Sequence, residues 1–173
     1  MKKQIRREMI KKRKIYDKDY GSRLALLIKE DPIFKKAKTV AIFYPMADEI
    51  NLLSLLDTDK RIVFPKVIGK EMQFYEVKDL AKANLLTSFL KSSFGVMEPI
   101  NGMLVSKDEI DLVITPLLAY DKDLYRLGYG GGYYDRYFCG YKGFKMGVAY
   151  PNSCVDTLPH DQYDIPLDKV VSL

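Results

Sequence analysis

The chain begins with a helical period of apolar positions and then switches to a strand-like one. Over residues 2–16, Ile5, Met9 and Ile10 form a thin apolar stripe with no Gly or Pro to break it, which predicts a helix with one narrow packing face. A second helix is predicted over 20–30, where Leu24, Leu27 and Ile28 recur, with Pro32 marking its end region. Short continuous apolar runs follow. Segments 39–44 (TVAIFY), 61–64 (RIVF) and 111–115 (DLVIT) are β-branched and each is stopped by a proline, the pattern of strands buried on both faces. Residues 72–77 alternate as a further strand, and 145–150 and 169–172 complete the set. Short helices are expected at 51–56 and 131–139 and a loop at 118–130, while 79–95 is too mixed to assign. Strands alternating with helical segments predict an α/β sandwich with a largely parallel sheet. No repeat, low-complexity stretch or Ser/Gly linker divides the chain, so residues 1–173 read as a single domain.

Composition narrows the function classes. With 173 residues, 47% of them apolar and 29% charged, the chain can bury an ordinary core, which excludes wholesale disorder. No apolar run approaches the roughly 20 residues of a membrane helix. The basic start runs into more charge and not into an apolar stretch, so no signal peptide is read, and a cytoplasmic location with reduced thiols is expected. Two cysteines, Cys139 and Cys154, exclude a disulfide scaffold and a four-thiolate metal centre, and the single His160 excludes His-rich metal chemistry.

Charge is distributed unevenly. Residues 2–14 hold eight basic side chains against Glu8 alone, a net +7 that leaves the other residues at −2 within a chain total of +5. A basic arm on a near-neutral body fits an anionic partner, whether nucleic acid, a membrane surface or a small polyphosphate, and equally fits a solvated helix face.

The densest chemical signal is RLGYGGGYYD at 126–135. Gly128, Gly130, Gly131 and Gly132 permit positive φ and close approach of a ligand to the backbone. Successive bare N–H groups in such a loop form an anion nest, and a helix start after it adds to the attraction. The loop follows the 111–115 strand, and ligands of parallel α/β sheets bind beyond strand C-termini. Two other glycine signatures fail: a dinucleotide fingerprint from Gly128 meets Tyr133 where Gly or Ala is required, and no Gly-Lys-Ser/Thr follows. Arg126 beside the nest favours phosphate as the ligand. Asp135 would repel phosphate unless a divalent cation intervened. Mg²⁺ takes one or two carboxylates plus phosphate oxygens and water, so a second carboxylate is expected, with Asp161, Asp164 and Asp168 as candidates.

RLGYGGGYYDRYF resembles the signature of the 5-formyltetrahydrofolate cyclo-ligase (methenyltetrahydrofolate synthetase) family. Flanking pieces fit in the same order over nearly the whole chain: Lys2-x-x-x-Arg6, YPMADEIN, FPK at 64–66, MQFY, GVMEP at 95–99, DLVITPLLAYD and HDQYDIPLD. The resemblance implies a three-layer α/β sandwich. It also implies ATP- and Mg²⁺-dependent conversion of 5-formyltetrahydrofolate to 5,10-methenyltetrahydrofolate with release of ADP and phosphate. Carried over position by position, Lys2, Arg6 and Arg126 are the charge-neutralising catalytic residues. Lys2, Arg6, Arg126, Leu127, Gly128, Tyr129, Gly130, Gly131, Gly132, Tyr133 and Tyr134 bind ATP. Arg6, Tyr44 and Glu49 contact the folate, Glu49 at the pterin ring, together with Tyr129, Gly130, Gly131, Gly132 and Tyr133. Asp135 and Asp164 hold Mg²⁺. The implied partner is a small reduced folate, with or without a polyglutamate tail, with neither nucleic acid nor membrane, and a monomer is expected. One departure stands out: many relatives have glycine at a turn position that here is Leu124.

Lys2 and Arg6 lie one helical turn apart and can converge on one triphosphate. The other six basic residues of the arm are expected to be solvated. Cys139 and Cys154 are expected to be small and packed, His160 to hydrogen-bond within a loop, and Lys66 to reach phosphate or water. The competing class is a nucleic-acid-binding module using the basic helix.

Overall fold

The structure is a computed structural model that describes residues 1–13, 15–77 and 85–173. Its N-terminal part comprises helices α1 (Lys2–Arg13), α2 (Tyr20–Glu30) and α3 (Pro32–Lys36), then strands β1 (Thr39–Ala41), β2 (Arg61–Ile68) and β3 (Glu71–Glu76). A middle section holds α4 (Leu85–Ser88), β4 (Phe89–Lys91), β5 (Met97–Pro99) and β6 (Met103–Val105). The last third contains β7 (Leu112–Pro116), β8 (Ala119–Tyr120), β9 (Arg126–Leu127), α5 (Tyr133–Phe138), β10 (Phe144–Val148) and β11 (Lys169–Val171).

Among the described residues the main sheet has seven strands in the order β11-β10-β7-β1-β2-β3-β6. Pairing is parallel from β11 through β2, and β3 and β6 add by antiparallel pairing. The continuous apolar runs are explained by burial on both faces. Val40 and Ile42, Ile62 and Phe64, and Leu112 and Ile114 join one core with Leu24, Ile28 and Phe34 of α2 and α3. The alternate residues Ala41, Val63 and Val113 join a second core with Tyr137 and Phe138 of α5. Helices thus cover both sides of a mostly parallel sheet, the three-layer sandwich expected from the family resemblance.

Several boundaries differ from expectation for identifiable reasons. Pro65 does not stop its strand, since β2 runs on to Ile68 and pairs Pro65 with Phe74 of β3. Arg61 N–H and the Val63 carbonyl face the β1 side, so Pro65, two residues on, points its missing donor past the end of β1 at Ala41, where no ladder bond is lost. Pro32 opens a helix as well as ending one: Asp31 caps α3 by accepting from the Ile33 amide at 2.8 Å, with Pro32 in the first turn. Helix α2 buries Tyr20, Leu24, Ala25 and Ile28, whereas Leu27 is exposed. The expected loop at 118–130 contains the short β8 and β9 hairpin. The first helix is described as far as Arg13 and has given way to a turn by Ile15, before the expected residue 16, and Tyr16 stacks on Tyr150 at 4.4 Å. The unassigned 79–95 region yields α4 and β4 where it is described, and residues 78–84 lie outside the described residues.

The topology creates a crevice. From β1 the chain moves to β2 on one side, while β7 pairs on the other side of β1. Ligands of doubly wound sheets bind beyond the strand ends at such a switch point.

Candidate active site

The glycine loop is set up by the turn before it. Asp121, 1% exposed, accepts from the amides of Asp123 (3.1 Å), Tyr125 (3.0 Å) and Leu158 (2.9 Å), which folds residues 121–125 back so that β9 can pair with β8. Within that turn Leu124 has φ 63°, so the position at which this chain departs from the family pattern does require left-handed backbone. An L-residue there costs roughly 1–2 kcal/mol. Packing of the Leu124 side chain against the second core, and acceptance by its carbonyl of the Leu167 amide at 3.0 Å, offset that cost.

Beyond β9 the chain enters the nest. Gly130 (φ 108°) and Gly132 (φ 67°) occupy backbone that other residues rarely adopt. Among the described residues, none accepts a hydrogen bond from the amides of Gly130, Gly131 or Gly132. Helix α5 starts at Tyr133 and has six residues, shorter than the 131–139 expected, so the glycines precede it and the loop amides themselves are the main attraction for an anion.

This loop forms one wall of a cavity of about 620 Å³ at the C-terminal ends of β1 and β7. Every residue singled out as catalytic, ATP-binding, folate-binding or metal-binding lines it: Lys2 and Arg6 from α1, Tyr44 and Glu49 from the segment after β1, residues 126 to 135 around the loop, and Asp164. Asp161 and Asp168 do not line it. Asp161 instead accepts from the Tyr163 amide, and Asp168 pairs with Lys145 at 2.8 Å.

Two groupings of charge face the cavity. In the first, Lys2 pairs with Asp164 at 2.9 Å and Arg126 with Asp135 at 3.0 Å. Arg126, whose side chain is 5% exposed, also donates to the Ile165 carbonyl at 2.8 Å and lies 5.0 Å from the Phe138 ring centre. Burial pushes its pKa down, opposed by Asp135, and guanidinium basicity is high enough to keep the charge. Asp164 is held below its ordinary value: burial opposes this, but Lys2, the Asp161 amide and Arg126 prevail. Arg6 donates from Nε to the Gly128 carbonyl at 2.8 Å, and its guanidinium lies against Gly130.

The second grouping surrounds Glu49. Burial pushes its carboxyl up to about 7, with Asp48 adding to the rise and the Met46 amide and Arg13 opposing it. One carboxylate oxygen accepts from that Met46 amide at 2.9 Å.

Some participants were not foreseen. Arg13 is 6% exposed and bonded into the site's frame, a correction to its expected solvation; Lys3, Arg7, Lys11 and Lys12 are exposed as expected, and Lys14 lies outside the described residues. Spacing held the signal: 2, 6, 9 and 13 fall on one face of a helix. Phe94, Val96 and Glu98 of the β4 and β5 hairpin line the cavity; Phe94 comes from the stretch whose pattern is mixed, and Val96 and Glu98 from the GVMEP piece, to which no site role was given. Asp48 lines it too. Cys139 and Cys154 are exposed, contrary to the expected packing. His160 stacks on Tyr125 at 3.7 Å, and the Lys66 ammonium lies 5.9 Å from the Tyr75 ring centre, outside the cavity lining.

A profile of the 5-formyltetrahydrofolate cyclo-ligase family matches residues 1–172. The chain belongs to the 5-formyltetrahydrofolate cyclo-ligase family. It is 30% identical to the 5-formyltetrahydrofolate cyclo-ligase of Haemophilus influenzae over 144 residues, which cover 77% of this chain and 74% of that one. The NMR structure of Aquifex aeolicus 5,10-methenyltetrahydrofolate synthetase is 34% identical, with a TM-score of 0.82 over 98% of this chain and 88% of that one. A 5,10-methenyltetrahydrofolate synthetase from Mycoplasma pneumoniae is 26% identical, with a TM-score of 0.71 over 99% and 98% of the two chains. As a member of the cyclo-ligase family the chain is an enzyme of the ligase class. Among the described residues no helix is long and apolar enough to cross a membrane.

Proposed function

We propose that the enzyme converts 5-formyltetrahydrofolate and ATP to 5,10-methenyltetrahydrofolate, ADP and phosphate, within a single domain to which the basic helix α1 contributes. The observation that carries this reading is the convergence on one cavity of α1, the glycine loop, Glu49 and the Asp135 and Asp164 carboxylates.

A formamide carbonyl carbon is a poor electrophile, and hydroxide is a poor leaving group from the adduct formed on ring closure. Transfer of the γ-phosphoryl to that oxygen forms one O–P bond and breaks the one to ADP. The folate nitrogen at position 10 then attacks the activated carbon and gives up its proton, and phosphate departs with the C–O bond electrons. Most of the protein's work is positioning and charge neutralisation. The free amides of Gly130, Gly131 and Gly132, with Arg6 against the loop, cradle the phosphates. Lys2 and Arg126 offset charge on the transferring group. Glu49 holds the pterin, and its pKa near 7 lets it donate or accept a hydrogen bond there.

Asp135 and Asp164 fit Mg²⁺. They are hard oxygen donors that line one cavity and both act on Arg126's charge, and among the described residues no cluster of three or more metal-binding side chains exists, so they would hold a cation that also takes phosphate oxygens and water. Bound Mg²⁺ would supply neutralisation of the polyphosphate. Each of the two ion pairs holds both signs, so Lys2 and Arg126 would serve the phosphates and Asp164 and Asp135 would hold the cation.

Incubation with 5-formyltetrahydrofolate and Mg-ATP is expected to yield the methenyl product, followed by its near-ultraviolet absorbance. No product at micromolar enzyme would overturn the proposal.

A further inference from the structure

Arg13 takes no part in the chemistry above, and its side chain does not line the cavity, yet it reaches three segments that do. Its Nη2 donates to the Leu117 carbonyl beyond β7. Its Nη1 donates to the Asp48 carbonyl at 3.4 Å and to the Tyr129 hydroxyl at 3.2 Å. The Tyr129 hydroxyl in turn donates to Oδ2 of Asp48 at 2.8 Å, and Nη1 lies 3.8 Å from that oxygen. The guanidinium sits 5.7 Å from the Tyr150 ring centre.

A charge buried this deeply is unfavourable unless it is well bonded, and among the described residues Nε has no partner. An apolar side chain would fill the same space without desolvating a cation. What it could not do is grip a carbonyl on each of two loops and a hydroxyl on a third. A rigid, planar fork of donors can, and a lysine ammonium, with one point of charge, cannot match it.

We infer that Arg13 is the positioning residue of this site, holding Leu117, Asp48 and Tyr129 in one hydrogen-bonded node that fixes the glycine loop relative to the segment carrying Glu49. Tyr129 stands between Gly128 and Gly130, where the backbone has little stiffness of its own; Arg6 holds the Gly128 carbonyl and Arg136 the Gly131 carbonyl, and the node at the Tyr129 hydroxyl adds the restraint that ties the loop tip to the Asp48 segment. Asp48 is the neighbour of Glu49, so the same node restrains the folate side. The inference rests on the cavity being the site for both substrates. One residue then sets the relative placement of the two.

The test is steady-state kinetics on the intact enzyme. In R13M the KM values for 5-formyltetrahydrofolate and for Mg-ATP are both expected to rise about tenfold, with kcat at saturation changed less than about threefold, because a displaced wall weakens binding of both substrates. R13K, which keeps the charge but not the fork, is expected to fall between. A purely structural role would lower the melting temperature and the active fraction and leave both KM values in place. A folded R13M with wild-type KM values, or with only one KM raised, would overturn the inference. Should R13M fail to fold, wild-type KM values for both substrates in R13K would overturn it equally. A wild-type enzyme with no turnover would instead overturn the reading of the cavity, before any variant is compared.

Discussion

The two faces of α1 carry the same residue types with opposite consequences. On one face Lys2, Arg6 and Arg13 turn inward, to Asp164, the Gly128 carbonyl and the node at Tyr129. On the other, Lys3, Arg7, Lys11 and Lys12 are exposed, Lys12 pairing with Glu8 at 2.7 Å. Net charge cannot distinguish the two sets, because a screened surface ammonium and a desolvated guanidinium count alike. Burial and the number of partners per cation separate them. A helix can therefore be strongly basic while only one turn-to-turn stripe of it bears on chemistry.

The sharpest way to break that comparison is to truncate the inner face. Arg6→Ala is expected to lower kcat/KM by about 10²–10³, the scale on which removing one donor to a developing charge acts, with the melting temperature little changed. Retention of full activity in a folded variant would contradict the assignment.

A second experiment probes what the inner face leaves uncompensated. Arg13 opposes the rise in the Glu49 pKa but burial wins, giving a value of about 7 against an ordinary 4.5. Between these values the folded state holds a proton that the unfolded chain has released, so this group's contribution falls as pH rises through the window. Its penalty is absent below 4.5 and fully developed above 7. Glu49→Gln is expected to be more stable than the wild type at pH 8 by on the order of 2 kcal/mol, a figure lowered for water in the cavity, and to lose that advantage at pH 4.5. Urea unfolding at the two pH values measures it, and an advantage independent of pH would count against the burial of Glu49.

The smallest effect belongs to the outer face. Replacing Lys3, Arg7, Lys11 and Lys12 together by Gln is expected to change kcat/KM at physiological salt by less than about threefold, the remainder being screened attraction. A hundredfold loss would show that the outer cations engage substrate directly.

The same contrast explains what could be read from the chain before its fold was known. Buried parallel strands announce themselves, because both faces of 61–64 and 111–115 must be apolar. The glycine loop was legible because few functions tolerate so many residues without side chains. Pro65 misled, since a proline ends a strand only where its missing donor would have been used. Arg13 misled because a solvated and a buried arginine are identical letters, and only the 2, 6, 9, 13 spacing separates them. Phe94 had no signal and Val96 and Glu98 only that of the GVMEP piece, for their hairpin owes its place to packing against β2 and not to a period of its own.

The contact between Lys2 and Asp164 spans 162 positions of the chain. The three inward cations of α1 therefore precede in the chain every group they meet, Asp48 first, then Leu117, Gly128 and Tyr129, and Asp164 last. The helix thus gains its inward contacts in stages as the molecule closes, and the pair at Asp164 joins the cavity's earliest segment to its last carboxylate.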